Sequence, residues 1–433
     1  MDYSICTYIL LAISVVALVF LTAVSFYYLI FWTISGKKCV PVPHSDKKTK
    51  FAILIAARNE SKVIRGIFTS LKEQTYDPKY FDVWAIVEDE NDPTVEIAKE
   101  FGYKTFVRDQ LRDGRRTKGF ALQECIAYFN RNNIVYDSYM IFDADNVMDN
   151  NYIEVMNDLR QTGVKVGLGN RCYTNASKNW LTANSAIMFT YMNQITSRGR
   201  TKLFSKATLM GTGYFVDKDI IDDAGGWIFT GMTEDIQLTS YCYYRDVYMR
   251  FYPLVRFYDE QSPVFHDMHM QHLRWLAGYF SKRRFLKKEG VQYDYHTKGM
   301  QHFMRFEFKV GLFPFLAYIV LCLILFIACL VFGTLASYAG SKFAPWIFAL
   351  SAYQLFMMWV MFVIPATITV YRHNDDLKLS KKTKIIAVCT YFFFFCDFGL
   401  AFLDGLFHPK KKGNWTAIDH SGEILDKDAK KVS

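Results

Sequence analysis

The apolar residues of this chain gather toward its two ends, and that asymmetry limits its fold more than any other feature. Tyr8 to Trp32 is an almost unbroken apolar run, and three more crowd the last third: Gly311 to Gly333, Pro345 to Tyr371 and Ile385 to Phe407. As a helix, each is long enough to cross a bilayer core of about 30 Å. Across 433 residues the hydrophobic share is 51%, close to that of soluble proteins, which argues against a chain built wholly of spans. Disorder is excluded because a 17% aromatic content supplies ample surface to bury. The nine cysteines include no CxxC pair, so neither a disulfide scaffold nor a zinc site is expected. Several lie in apolar runs, where free thiols behave as small hydrophobes, and reduced cysteines fit a cytosol-facing protein.

The first run has no basic leader segment and no small-residue cleavage site, which argues against a cleaved signal peptide. Lys37, Lys38, Lys47, Lys48 and Lys50 follow it, while only Asp2 is charged before it. Positive charge is retained on the cytoplasmic side, so everything after residue 36 is expected there. The division expected is a transmembrane helix at 1–36, a cytosolic domain at 37–290 and an amphipathic interface segment at 291–310. Transmembrane helices follow at 311–407, then a basic tail at 408–433. Four spans put the tail outside, yet it begins Lys410, Lys411, Lys412. Either the last run, with Asp397 and Asp404, re-enters without crossing, or the tail departs from the charge rule. An acid inside an apolar span is a functional-site candidate by default, although Asp404 is near enough to the run's end to reach the interface.

Between Thr49 and about Gly290 the texture changes. Phe51 to Ala57, Val83 to Val87 and Tyr139 to Phe142 read as buried strands, with helical spacing at Ser61 to Gln74, Thr94 to Phe101 and Thr117 to Asn130. That alternation predicts βαβ units, an α/β domain with a mainly parallel sheet. Ligands bind beyond the carboxyl ends of such strands, and the polar clusters fall there: Ala57 to Glu60, Glu88 to Asp92 and Asp143 to Asn146. Asp143 and Asp145 are alternate residues able to turn two carboxylates toward one point. Mg2+ or Mn2+ is typically held by one or two carboxylates, with substrate phosphates completing the shell. A solvated acidic turn is the plain alternative. Thr233, Glu234 and Asp235 open an amphipathic stretch, so Thr233 suits a helix N-cap with acids in the first turn; the sharper reading makes Asp235 a general base. Gln271 and Arg274, three apart on an expected helix, share a face. The planar fork of arginine matches diphosphate oxygens, and the Trp275 indole offers a face for a sugar ring; an ordinary amphipathic helix with a buried Trp is the alternative.

Taken jointly and in this order, an acidic loop, Asp143-Ala144-Asp145, Thr233-Glu234-Asp235 and Gln271-His272-Leu273-Arg274-Trp275 resemble the processive family-2 glycosyltransferases. These are membrane synthases of cellulose, chitin, hyaluronan and poly-N-acetylglucosamine. The resemblance covers about residues 50 to 290 and implies a GT-A fold (Rossmann-like, mainly parallel sheet) beside an α-helical transmembrane region. It implies a UDP-sugar donor, Mg2+ or Mn2+, and inversion at the anomeric carbon. Carried over by residue, Asp89 is similar to the acid that contacts uridine, and Lys118, in Lys118-Gly119-Phe120-Ala121-Leu122, to a lysine near the nucleotide. Asp143 and Asp145 resemble the pair at phosphates and metal, and Asp235 the catalytic base beside Thr233 and Glu234. Gly211, Thr212 and Gly213 resemble the turn lining the acceptor site, followed by Gly226-Trp227. Gln271 and Arg274 match the diphosphate contacts, and Trp275 the contact to the acceptor's terminal sugar. The first loop departs from the family's VDDGS-like form, with Glu88 or Asp92 as alternatives to Asp89. Arg245-Asp246 stands where a glycine often follows an arginine. No counterpart of a gating loop or a cyclic-di-GMP domain is found.

The expectation is a multi-pass plasma-membrane enzyme with a cytoplasmic catalytic domain. It adds sugar to a β-linked polysaccharide and passes the polymer through its own spans. Single-sugar transfer to a lipid is the alternative, and a non-catalytic membrane scaffold is a third reading. Expected partners are the UDP-sugar, the polysaccharide acceptor and membrane lipids, with accessory export proteins or a homo-oligomer left open. The basic patch Lys282 to Lys288 is read as a contact for lipid headgroups rather than for nucleic acid.

Overall fold

The computed structural model describes residues 3–36, 38–109, 117–291 and 312–408. After helix α1 (Tyr3–Ser35) the chain alternates as expected: β1 (Phe51–Ala56), α2 (Ile64–Lys72), β2 (Phe81–Val87), α3 (Pro93–Phe101), β3 (Lys104–Val107), α4 (Lys118–Arg131) and β4 (Ser138–Asp143). The second half adds β5 (Val147–Met148), α5 (Tyr152–Gln161), β6 (Val166–Tyr173), α6 (Trp180–Met192), α7 (Arg200–Phe204), β7 (Tyr214–Asp217), α8 (Lys218–Asp223), α9 (Glu234–Tyr244), β8 (Met249–Asp259) and α10 (Phe265–Lys288). A π-helical turn, Asn193–Gly199, joins α6 to α7.

The strands form one eight-stranded sheet in the order β3-β2-β1-β4-β7-β6-β8-β5. It is mixed, which corrects the simpler expectation: β7 pairs antiparallel with both β4 and β6, and β5 antiparallel with β8. The other pairs are parallel, so β1, β2, β3, β4, β6 and β8 all end at one edge. Because β7 runs the other way, it begins where they end.

β1 is buried along almost its whole length, the pattern of a central strand covered on both faces. Its residues divide by parity, as a two-residue period requires. Ala52 and Leu54 pack with Leu122, Ile126 and Phe129 of α4. Phe51, Ile53 and Ile55 pack with Ile67, Phe68 and Leu71 of α2 and Ile153 and Met156 of α5.

The four apolar runs fall on the helices Tyr3–Ser35, Leu312–Tyr338, Ala344–Arg372 and Lys381–Phe407. Among the described residues, the last of these is long and apolar enough to cross a membrane. It shares a core with the α/β domain: Leu181, Ile187 and Phe189 of α6 and Met268, Leu273 and Leu276 of α10 pack with Tyr391, Phe394 and Phe398. The expected interface segment from residue 292 to 310 and the tail from 409 onward lie outside the described residues.

Candidate active site

Asp143 is the last residue of β4, in register with Ala56 of β1, which is itself in register with Ile86 of β2. The three strand ends therefore lie in a row along the common edge. Lys118 opens α4 above that row. Gly119 permits the approach, since a Cβ there would fall 2.2 Å from the Phe229 carbonyl oxygen, and Thr117 Oγ1 donates to the Thr230 carbonyl at 2.9 Å. Held in this way, Lys118 Nζ donates to the Asp143 carboxylate and, at 2.8 Å, to the Gly211 carbonyl.

Gly211 adopts φ +85°, a left-handed conformation open to glycine at little cost. Its carbonyl serves Lys118 while its N–H donates to Asp235. Thr212 Oγ1 donates to Asn146 and accepts the Asp143 N–H at 2.9 Å. The turn that leads into the reversed strand β7 is thereby fastened to the end of β4.

Asp235 and Glu234 form the first turn of α9, and both are buried. Burial pushes both carboxyls above the usual carboxylate range. For Asp235 the N–H groups of Ile236 and Gly211 and the charge of Lys118 oppose the rise, while Asp143 adds to it. For Glu234, Lys118 opposes and Asp235 adds. Burial also works against the Lys118 charge, but Asp143 and Glu234 outweigh it and its pKa is raised. Lys118 Nζ lies 4.0 Å from Glu234. Thr233 occupies the N-cap position, but its side chain makes no capping bond and its buried Oγ1 has no hydrogen-bond partner; the expected cap is corrected. The hydroxyl packs against α10 instead, where a Cβ on Gly278 would fall 2.3 Å from that oxygen.

α10 carries Gln271, Arg274 and Trp275. The Arg274 guanidinium faces Glu234, Asp143 and Asp235, whose charges partly offset a burial that lowers its pKa. Its buried Nε has no hydrogen-bond partner. Gln271 is half-buried on the same face. The Trp275 ring meets Phe189 edge-on at 5.5 Å and lies 5.4 Å from the His272 ring.

The fold thus brings Lys118, Asp143, Gly211, Thr212, Glu234, Asp235 and Arg274 together. Asp145 joins through Asn146, whose Nδ2 donates to it at 3.1 Å. Asp89 stands at the same sheet edge, exposed, with its carboxylate turned to the N–H and side chain of Asn91. The alternatives have other work. Glu88 pairs with Arg58 and Arg108, and Asp92 caps α3 through the Thr94 N–H. Gly213 packs on the Phe257 ring rather than opening to the site. Gly226-Trp227 serves packing: the indole is buried and donates to the Phe229 carbonyl at 3.0 Å.

Three residues that brace the candidate site, Asn146, Arg171 and Asp259, were not singled out in the sequence, although Asn146 lies in the Asp143 to Asn146 cluster. Asn146, fully buried, also donates to Asp259 at 2.9 Å. Arg171, at the end of β6, pairs with Asp259 and donates to the Met210 carbonyl at 3.0 Å. Together they tie the Asp143–Asp145 loop and the Gly211 turn to the ends of β6 and β8. An acid closing a strand at the ligand-binding edge was the available signal for Asp259.

The family described as "Glycosyltransferase like family 2" matches residues 49–278. Among curated proteins the chain is 26% identical over 238 residues to "Probable glycosyltransferase YdaM" of Bacillus subtilis, covering 53% of this chain and 55% of that one. It is 27% identical over 248 residues to the beta-monoglucosyldiacylglycerol synthase of Trichormus variabilis, covering 53% and 49%. The chain therefore spans about half the length of these relatives. Among solved structures it is similar to a mannosyltransferase from Pyrobaculum calidifontis in complex with GDP-Man and Mn2+. The TM-score is 0.60 at 13% identity, covering 92% of this chain and 99% of that one, a likeness of fold.

Proposed function

This chain belongs to glycosyltransferase like family 2, and from that premise we propose that it transfers a single sugar from a UDP-sugar to a lipid acceptor at a membrane. The relatives support a lipid acceptor better than the polysaccharide expected first, since one is a glycolipid synthase. The shared core between α10 and the Lys381–Phe407 helix supports a site next to the bilayer. The four apolar helices are read as spans of one membrane protein with the α/β domain on the cytoplasmic side.

Arg274 carries the reading. Its buried Nε–H has no hydrogen-bond partner although the guanidinium faces three acids, and a buried donor left so is costly unless an acceptor completes it. A nucleotide diphosphate is such an acceptor, and its oxygens fit the guanidinium fork. Asp235 then takes the proton of the acceptor hydroxyl as that oxygen attacks the anomeric carbon opposite the departing diphosphate, which inverts the centre. Lys118 and Arg274 stabilise the charge that develops on the leaving group. Among the described residues no group of three or more His, Cys, Asp or Glu is placed to hold a metal. The pair Asp143 and Asp145 suits Mg2+ or Mn2+, which rely on substrate phosphates for further ligands. When bound there, the ion supplies Lewis-acid neutralisation of the diphosphate. Gln271 assists Arg274, Asp89 takes the base of the nucleotide, and Trp275 holds the acceptor in line for attack.

The test is incubation of the purified full chain with a panel of UDP-sugars, Mn2+ and diacylglycerol-containing vesicles. A lipid-soluble monosaccharide product is expected. A water-soluble polymer cut by glycosidases would return the polysaccharide reading, and no transfer from any UDP-sugar would sink both.

A further inference from the structure

The last apolar helix carries a fully buried acid. Asp397 accepts from His269 Nδ1 at 2.6 Å on one oxygen and from His272 Nδ1 at 2.7 Å on the other. Asp397 and His272 are each 1% exposed. The His272 ring also stacks on Phe398, with centroids 3.7 Å apart, and meets Phe394 edge-on. Toward the helix end, Asp404 lies 3.6 Å from His269 Nε2 and binds His408 Nδ1 at 2.7 Å. Charge and hydrogen bonding thus link the Lys381–Phe407 helix to α10 along two turns.

α10 has two working faces. His269 and His272, three apart, lie on one side. At about 100° per residue, Arg274 points about 160° away from His272. Gln271, Arg274 and Gly278 lie on that far side, against Thr233 and the acids of α9. The helix is therefore gripped on opposite faces, by Asp397 on one and by the candidate active site on the other. A carboxylate in an apolar helix is expensive, and two apolar side chains would fill the space at lower cost. What apolar packing lacks is direction. Two hydrogen bonds from adjacent turns fix both the rotation of α10 and its position along its own axis.

We propose that Asp397 is a positioning residue: by holding His269 and His272 it sets where Arg274 stands relative to Glu234 and Asp143. The proposal rests on the reading in which Arg274 receives the donor diphosphate. It makes diphosphate binding depend on a residue of the membrane-facing helix 125 positions or more along the chain from its partners.

The test uses the full chain in lipid nanodiscs, with UDP and Mn2+ as the probe and calorimetry as the readout. Arg274→Ala is measured first, and unchanged affinity there removes the diphosphate assignment itself. With that assignment standing, Asp397→Asn is expected to weaken UDP binding about tenfold or more, the scale on which partners that orient a binding group act. In the Arg274→Ala background it is expected to add nothing. His272→Phe, which retains the stack on Phe398 but removes the donor, should give the same loss and the same non-additivity. His272→Gln, which retains a donor, should recover most of the affinity. A merely structural role would lower the unfolding temperature yet leave the losses additive with Arg274→Ala. That additivity, or wild-type affinity in both Asp397→Asn and His272→Phe, overturns the proposal.

Discussion

The Lys118 ammonium is hydrogen-bonded to the Asp143 carboxylate, joining the first residue of α4 to the last residue of β4. The pair stands beside two further acids, Glu234 and Asp235, and the lysine holds the pKa of both down against their burial. One cation thus limits, without cancelling, the rise that burial imposes on both acids.

Removing that charge while keeping the length, as in Lys118→Met, leaves burial less opposed. The Asp235 pKa then rises further, and more acid remains protonated at a given pH. The acidic limb of the pH–kcat/KM profile is expected to move to higher pH, with lower activity at neutrality. An acidic limb at the wild-type position would separate Lys118 from the base.

Asp235 must be ionised to accept a proton, and its pKa is raised. Wild-type kcat should therefore fall on acidification at a pH above the ordinary carboxylate range. Asp235→Asn keeps the shape and removes the proton acceptor. A loss of about 10²–10⁴ in kcat is expected, the range of general-base contributions, with UDP affinity largely kept. Turnover within a few-fold of wild type would assign the base elsewhere.

Asn146 joins Asp145, Thr212, Asp259 and the Asp143 N–H in one buried cluster. Asn146→Ala strands several of these groups at once. A loss on the order of 3 kcal/mol is expected from chemical denaturation, together with weaker Mn2+-dependent UDP binding. If stability drops while metal-dependent binding is untouched, the cluster holds the fold and not the metal loop.

Gly119→Ala places a methyl against the Phe229 carbonyl and within 2.8 Å of Thr230 Cα. Backbone on both sides gives little room to relax, so a cost of about 2 kcal/mol or more is expected. Displacing the start of α4 also pulls Lys118 from Asp143. Thermal unfolding and UDP titration should both report the change, and an unaltered midpoint would mean that α4 tolerates a shift.

Much of the α/β domain was legible because its central strands are covered on both faces. Phe51–Ala56 and the later part of Phe81–Val87 must then be continuously apolar, and the acids that follow them must sit at strand ends. The helices Pro93–Phe101 and Lys118–Arg131 fall within a residue at each end of the expected stretches Thr94 to Phe101 and Thr117 to Asn130. β7 was not legible. Four residues carry no record of strand direction, which is set by neighbours on both sides, and with β7 went the reason that Gly211 to Gly213 reach the strand-end edge.

Residue order by itself determined which groups the chain brings to chemistry: three acidic clusters, a lysine opening a helix, and an arginine three positions after a glutamine. Tertiary packing alone decided what those groups became. Burial, which no local sequence encodes, raised the pKa of Asp235 and left Arg274 Nε without a partner. Packing also set Asp397, an unusual acid in an apolar run, between two histidines of the arginine's own helix. A side chain's charge is written in its covalent structure; the dielectric around it and the groups facing it exist only after distant segments have met.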